Sequence, residues 1–262
     1  MNKLTEIFKH KQDLLALYFT AGFPEIDDFQ KIIAGFEDSD ADILEIGIPF
    51  SDPMADGPVI QKSGQRALQN GMTVERLFDL LEKTGPGKPK VIMTYFNPVF
   101  RYGIEKFCER ASGFGISGMI IPDLPFEAFE SEYFDVFRKH KLHYIPLITD
   151  KTSDKRLEMA KRIGSGFVYL ASAHIITGSQ TGLQFSMEFR EKIRKLQKTL
   201  PVMIGFGIRN HDQYTAASAI SNGAIIGSAF IQALENSGDV YQETIDFVRS
   251  IKGAAPQSIS NH

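Results

Sequence analysis

Eight short apolar runs, separated by loops and amphipathic stretches, constrain this chain more than any other feature. They are LALYFT (15–20), ILEIGI (43–48), VIMTY (91–95), GMIIP (118–122), YIPLIT (144–149), FVYLAS (167–172), PVMIGFG (201–207) and AIIGSA (224–229). Near-continuous apolar runs, rather than clean alternation, suit parallel strands covered on both faces. Helical patterns lie between them: DDFQKIIAGFED places Phe29, Ile32, Ile33 and Phe36 on one stripe. TVERLFDLLEK, EAFESEYFDVFRKH, SDKRLEMAKRIG and SMEFREKIRKLQKTL read the same way, with Thr73, Ser153 and Ser186 placed as N-caps.

Eight strand-then-helix units in about 250 residues is the arithmetic of a (β/α)8 barrel. An open doubly wound sheet is the alternative, but it reaches eight strands less naturally. No Gly/Ser linker or composition break divides the series. The expectation is therefore one α/β domain, a (β/α)8 (TIM) barrel over residues 1–253 with an N-terminal helix. The polar tail 254–262 is expected to be frayed. In such a barrel the active site lies in the loops after the C-terminal strand ends, so each candidate residue can be judged by its place on a strand.

The composition excludes several classes. Of 262 residues 43% are hydrophobic and 23% charged, and the formal net charge is −3, so no basic excess points to nucleic acid or an anionic membrane. The single cysteine, Cys108, leaves no internal disulfide and no cysteine cluster for zinc. No signal-peptide core opens the chain, and no run approaches the roughly 18 apolar residues of a membrane helix. A reducing cytoplasm fits these features.

Two acids stand out in LEIGIPFSDPMADGP (44–58). Glu45 interrupts an apolar strand, where an unpaired carboxylate is costly. Pairing with a cation or backbone donors is one explanation. The other is a carboxyl whose pKa burial raises, ready to donate a proton near neutrality. Asp56 has a ready structural reading, since ADGP is a turn in which Asp56 or Gly57 caps a helix opening at Pro58. Asp52 has a similar Asx-turn explanation. Yet the loop rising from the top of the Glu45 strand could return Asp56 over the barrel mouth. Two carboxylates in unlike settings can divide acid and electrostatic roles.

Glycine-rich turns follow the last two strands, GFGIRN (205–210) and IIGSAF (225–230), and ITGSQTG follows the sixth. Turns after strands seven and eight, with a short helix at SAFIQALE, form a common phosphate site of barrel enzymes. Glycine lets backbone N–H groups approach the oxygens, and a helix N-terminus adds positive potential. Arg209 could assist. The loop HIITGSQTGLQ (174–184) is suited to ordering over a ligand, or is simply a flexible connection. Tyr18, Tyr95 and Tyr169 fall within strands, as core residues or as pocket walls.

At this point the motifs resemble a known family. LEIGIPFSDPMADGPVIQ (44–61) looks like the signature of the tryptophan synthase α subunit. YFTAGFP (18–24), NPVF (97–100), IPDLPFE (121–127), ITG (176–178), GFGI (205–208) and GSA (227–229) follow in the family's order, so the resemblance spans almost the whole chain. It implies a lyase performing retro-aldol cleavage of indole-3-glycerol phosphate to indole and glyceraldehyde 3-phosphate in tryptophan biosynthesis. It further implies that Glu45 is the acid/base glutamate and Asp56 the catalytic aspartate. Gly178, Gly207, Gly227 and Ser228 would bind phosphate, Thr177 would match the closing-loop threonine, and Tyr18 and Tyr169 would line the pocket. No metal or cofactor is implied for this chain. The partner would be a β subunit, carrying its own pyridoxal phosphate, in an α2β2 heterotetramer, with the 49–56 loop at the interface. Two rival readings remain at this level: another phosphate-binding barrel isomerase or synthase, and a catalytically silent barrel that binds and activates a partner.

Overall fold

Nine parallel strands make one sheet in a computed structural model that describes residues 2–171, 185–205 and 207–253. The strands are β1 (Leu14–Thr20), β2 (Ile43–Gly47), β3 (Lys90–Met93), β4 (Ile116–Ile120) and β5 (His143–Tyr144). They continue with β6 (Leu147–Thr149), β7 (Val168–Ala171), β8 (Val202–Gly205) and β9 (Gly223–Ile226). Their spatial order is β5-β4-β3-β2-β1-β9-β8-β7-β6.

The two end strands, β5 and β6, are halves of one chain segment. The run YIPLIT, read from sequence as a single strand, breaks at Pro146, which has no N–H to donate to a ladder. Ile145 N–H donates to Met119 O on β4 at 2.9 Å, while Pro146 O accepts from Tyr169 N on β7 at 3.0 Å. The segment thus pairs with β4 before the proline and with β7 around and after it. That handover closes the sheet into a barrel of eight staves.

Helices cover the outside. α1 (Lys3–His10) is capped by Asn2, whose side chain accepts from Leu4 N at 2.9 Å, and it buries Leu4. α2 (Asp28–Asp38) buries Phe29, Ile32, Ile33 and Phe36, the stripe read from the sequence. Fully burying such a side chain contributes roughly 1.5–3 kcal/mol. α3 (Pro58–Gln69) has Gly57 at its N-cap and Pro58 in its first turn, and α4 (Val74–Glu82) follows.

Thr73 and Ser186 cap as expected, each accepting at 3.1 Å, from Arg76 N and Phe189 N. Ser153 occupies the N-cap position without a cap bond. Beside it, the Thr152 hydroxyl accepts from Thr149 N at 2.9 Å and fastens the turn. The stretch EAFESEYFDVFRKH is helical but not uniform: a π-helical turn, Phe129–Tyr133, lies between Phe126–Ala128 and Phe134–Lys139. Helices Phe96–Tyr102, Ile104–Gly113, His211–Ser218, Ser228–Glu235 and Val240–Lys252 cover the rest, and Val240–Lys252 buries Val240, Ile245, Val248 and Ile251 on one face.

At the N-terminal end of the barrel, Asp42 is buried and accepts from Leu15 N at 2.8 Å and Lys252 Nζ at 3.2 Å. Lys11 also donates to it, so one carboxylate ties both ends of the described chain to the barrel floor. Among the described residues, no helix is long and apolar enough to cross a membrane. Among the same residues, no group of three or more His, Cys, Asp or Glu is placed to hold a metal ion.

Candidate active site

The parallel register places Tyr18 of β1 beside Glu45 of β2, and Glu45 beside Val91 of β3. Tyr18 and Glu45 both line a cavity of about 100 Å³ at the C-terminal mouth of the barrel. The loop after β2 brings Asp56 into the same cavity. Of the two explanations for Asp56, the turn is capped by Gly57, and the Asp56 carboxylate turns elsewhere. Tyr95, just beyond β3, donates its hydroxyl to Asp56 Oδ2 at 3.0 Å and accepts from Ala55 N at 2.9 Å. Gln61 Nε2 donates to Asp56 O at 2.8 Å, closing the turn onto the first turns of α3.

Glu45 is 1% exposed, and both of its carboxylate oxygens are buried without a hydrogen-bond partner among the described residues. Among those residues neither a cation nor a backbone donor satisfies it. Burial, reinforced by the nearby Asp56 charge, pushes its pKa up to about 8. At neutral pH the Glu45 carboxyl is therefore mostly protonated. Burial raises Asp56 as well, but the Tyr95 hydroxyl bond works against that rise. The two acids thus sit in unlike environments, Glu45 without a hydrogen-bond partner among the described residues and Asp56 bonded to a phenol.

Tyr18 and Tyr169 are held by a repeated packing arrangement. A Cβ on Gly47 would fall 2.2 Å from the Tyr18 hydroxyl, and one on Gly205 would fall 2.3 Å from the Tyr169 hydroxyl. Tyr18 pairs in register two residues before Gly47, and Tyr169 two residues before Gly205. In both cases a strand-ending glycine leaves room for a ring from the preceding strand. Burial raises both phenols well above their ordinary pKa, so each stays a neutral hydroxyl in the pocket wall.

Gly207, Gly227 and Ser228 line the same cavity. Gly207 has φ +76, a left-handed conformation that glycine adopts without strain. Gly227 is the N-cap of the helix Ser228–Glu235, whose first amides add positive potential to that wall. Thr177 and Gly178 lie outside the described residues. The structure thus brings together Glu45, Asp56, Tyr18, Tyr169, Gly207, Gly227 and Ser228 around one cavity.

Sequence reading missed part of this wall. Ile60, Met93 and Ile225 line it as apolar surface, and they carry no signal that separates them from core residues. Tyr95 was visible only as a strand aromatic, because its bond to Asp56 spans a loop. Gly47 and Gly205 lie inside two of the apolar runs and end the strands formed from them, β2 and β8, whose preceding strands hold the tyrosines. A larger open groove of about 1060 Å³ runs between helices Asp154–Ile163 and Met187–Gln197. Its Lys192 is engaged with the carbonyls of Thr149, Asp150 and Thr152, and the groove gathers no unpartnered buried acid.

Comparisons agree with this geometry. The family model for the tryptophan synthase alpha chain matches residues 4–256. The tryptophan synthase alpha chain of Christiangramia forsetii is 40% identical over 255 residues, spanning 96% of this chain and 99% of that protein. That of Flavobacterium johnsoniae is 43% identical over 241 residues, 91% and 95% of the two chains. Among solved structures, the alpha chain from Legionella pneumophila superimposes with a TM-score of 0.82 at 30% identity, covering 100% of both chains. The aminoacrylate-bound tryptophan synthase from M. tuberculosis gives 0.81 at 28% identity, covering 96% and 100%. With sequence, barrel and pocket in agreement along nearly its whole length, the chain belongs to the tryptophan synthase alpha chain family.

Proposed function

We propose that Glu45 and Asp56 carry out the family's lyase reaction here, the retro-aldol cleavage of indole-3-glycerol phosphate to indole and glyceraldehyde 3-phosphate. The observation that carries the assignment is Glu45: a fully buried carboxyl, unpartnered on both oxygens, facing a cavity shared with Asp56. A carboxyl left so is destabilising to the fold. A silent binding barrel would have no use for it.

The steps follow from these positions. Protonated Glu45 delivers its proton to C3 of the indole ring, the carbon bonded to the glycerol chain. The ring becomes an indolenine cation. Ionised Asp56, aligned by Tyr95, accepts a hydrogen bond from the indole N–H and offsets the positive charge developing there. The Glu45 carboxylate then takes the proton of the hydroxyl on the adjacent chain carbon. That carbon becomes the aldehyde, the C–C bond breaks, and its electron pair restores the aromatic ring. The proton given to C3 remains on indole, and Glu45 is again protonated. Apolar Ile60, Met93 and Ile225 and the neutral Tyr18 and Tyr169 rings suit a flat indole. Gly207, Gly227 and Ser228 receive the phosphate, joined by Thr177 and Gly178 on this reading.

The family also implies a β-subunit partner. Met54, in the 49–56 loop, is 77% exposed, and Phe100, in the helix after β3, is 60% exposed. Two large exposed apolar side chains, on the loop after β2 and the helix after β3, are what a partner would cover. The expected assembly is an α2β2 heterotetramer in the cytoplasm, with pyridoxal phosphate held by the β subunit.

The test is release of indole from indole-3-glycerol phosphate by the purified chain, with and without a β subunit. Indole formation, faster with the partner, is expected. No indole above the uncatalysed background in either condition would overturn the assignment.

A further inference from the structure

Arg209 is the one cationic residue among the described residues that line the active-site cavity, and it shares that lining with Gly207, Gly227 and Ser228. Its backbone is fixed. Arg209 N donates to Gln213 Oε1 at 2.7 Å, and Asn210 next to it caps the helix His211–Ser218 by accepting from Gln213 N at 3.0 Å. One glutamine thus anchors the turn through its side chain and its amide. The Arg209 side chain itself is exposed and makes no ion pair or hydrogen bond among the described residues. No Asp or Glu occurs in the segments outside them. Among the described residues the cavity therefore has two acids, Glu45 and Asp56, and one guanidinium, without a partner among them, beside the glycine turns.

We infer that Arg209 is a substrate-recognition residue that pairs with the phosphate of the ligand and sets the preference for phosphorylated over unphosphorylated substrates. This rests on the reading of the site given above and adds to it a charged contact. The chemical reason is a difference in what the donors recognise. Backbone N–H groups of a glycine turn and a helix start bind an anion through partial charges. A guanidinium adds a full charge and a planar pair of donors matched to phosphate oxygens. Near neutrality a phosphate monoester carries close to two negative charges, so the added attraction applies to that end of the ligand and not to the indole. Because Arg209 sits at the exposed mouth, salt screens it, which limits the expected effect to about tenfold in affinity, or about 1.4 kcal/mol.

The experiment compares wild type with Arg209→Gln, Arg209→Lys and the exposed-site control Lys198→Gln. Calorimetry measures sn-glycerol 3-phosphate binding at low and high salt, and indole release gives kcat and KM. Arg209→Gln is expected to weaken glycerol 3-phosphate about tenfold and raise KM for indole-3-glycerol phosphate by the same factor. Its kcat should stay within about twofold of wild type, and its affinity should depend less on salt. Arg209→Lys should recover part of the loss, and Lys198→Gln should behave as wild type. Unchanged glycerol 3-phosphate affinity in Arg209→Gln overturns the inference. So does a fall in kcat without a rise in KM, or an equal loss in Lys198→Gln. If wild type releases no indole, the lyase assignment falls, while the glycerol 3-phosphate measurements still decide the role of Arg209.

Discussion

The Tyr95 hydroxyl bridges the Asp56 carboxylate and the Ala55 amide, at 3.0 and 2.9 Å, so one side chain from the end of β3 sets the aim of an acid on the loop after β2. The bond also favours the ionised form of Asp56 against the burial that raises its pKa. Tyr95→Phe is expected to lower kcat about tenfold, because Asp56 loses its alignment. It should also move the acidic limb of the kcat/KM profile to higher pH. An unmoved acidic limb would show that Tyr95 does not tune Asp56.

The wild-type profile should itself be bell-shaped. The proposed mechanism needs Asp56 ionised and Glu45 protonated, so activity should fall on the acid side as Asp56 takes up a proton and on the alkaline side as Glu45 loses one, at about pH 8. Asp56→Asn should remove the acidic limb from whatever activity is left. A wild-type rate still rising through pH 9 would exclude Glu45 as the proton donor.

Glu45→Gln should separate activity from stability. It removes the proposed proton donor, so indole release should fall by at least about 100-fold. In stability the sign is the reverse. The folded protein holds the Glu45 proton up to about pH 8, whereas the unfolded chain releases it near pH 4.5, so wild-type stability falls as pH rises between these values. Above that window the buried charge destabilises the fold, and the neutral amide should be more stable by up to roughly 5 kcal/mol. Near pH 4.5 the advantage should vanish. Denaturant midpoints at pH 5 and pH 8.5 test this, and equal midpoint differences at the two pH values would refute it.

Gly47→Ala and Gly205→Ala should each force a tyrosine ring to move, since the added methyl would lie 2.2 or 2.3 Å from its hydroxyl. Both rings are buried and can shift only into the cavity or the core, at a cost of about 1–3 kcal/mol. KM should rise with little change in the pH profile, because neither glycine touches an acid. A Gly47→Ala variant with wild-type stability and KM would mean that Tyr18 has room the packing denies it.

Barrel architecture was legible in the chain because it depends on local apolar patterning. The runs containing Leu17, Ile46, Ile92 and Ile204 became strands, and the stripe Phe29, Ile32, Ile33 and Phe36 became the buried face of α2. Gly57 and Pro58 began α3 where a turn signal placed them. These outcomes follow from hydrophobic burial and backbone sterics acting over a few residues. The resemblance in 44–61 then placed both acids. Long-range pairing was not legible. Nothing near Glu45 in sequence says that its carboxyl lacks a partner among the described residues, because that depends on which side chains the other strands turn inward. Nor does the sequence around Asp56 reveal Tyr95, 39 positions away. The chain by itself determined where the strands lie and which acid interrupts one. Only the closed barrel decided that Glu45 is unpaired and raised to about 8, because desolvation is a property of the assembled interior and not of any segment.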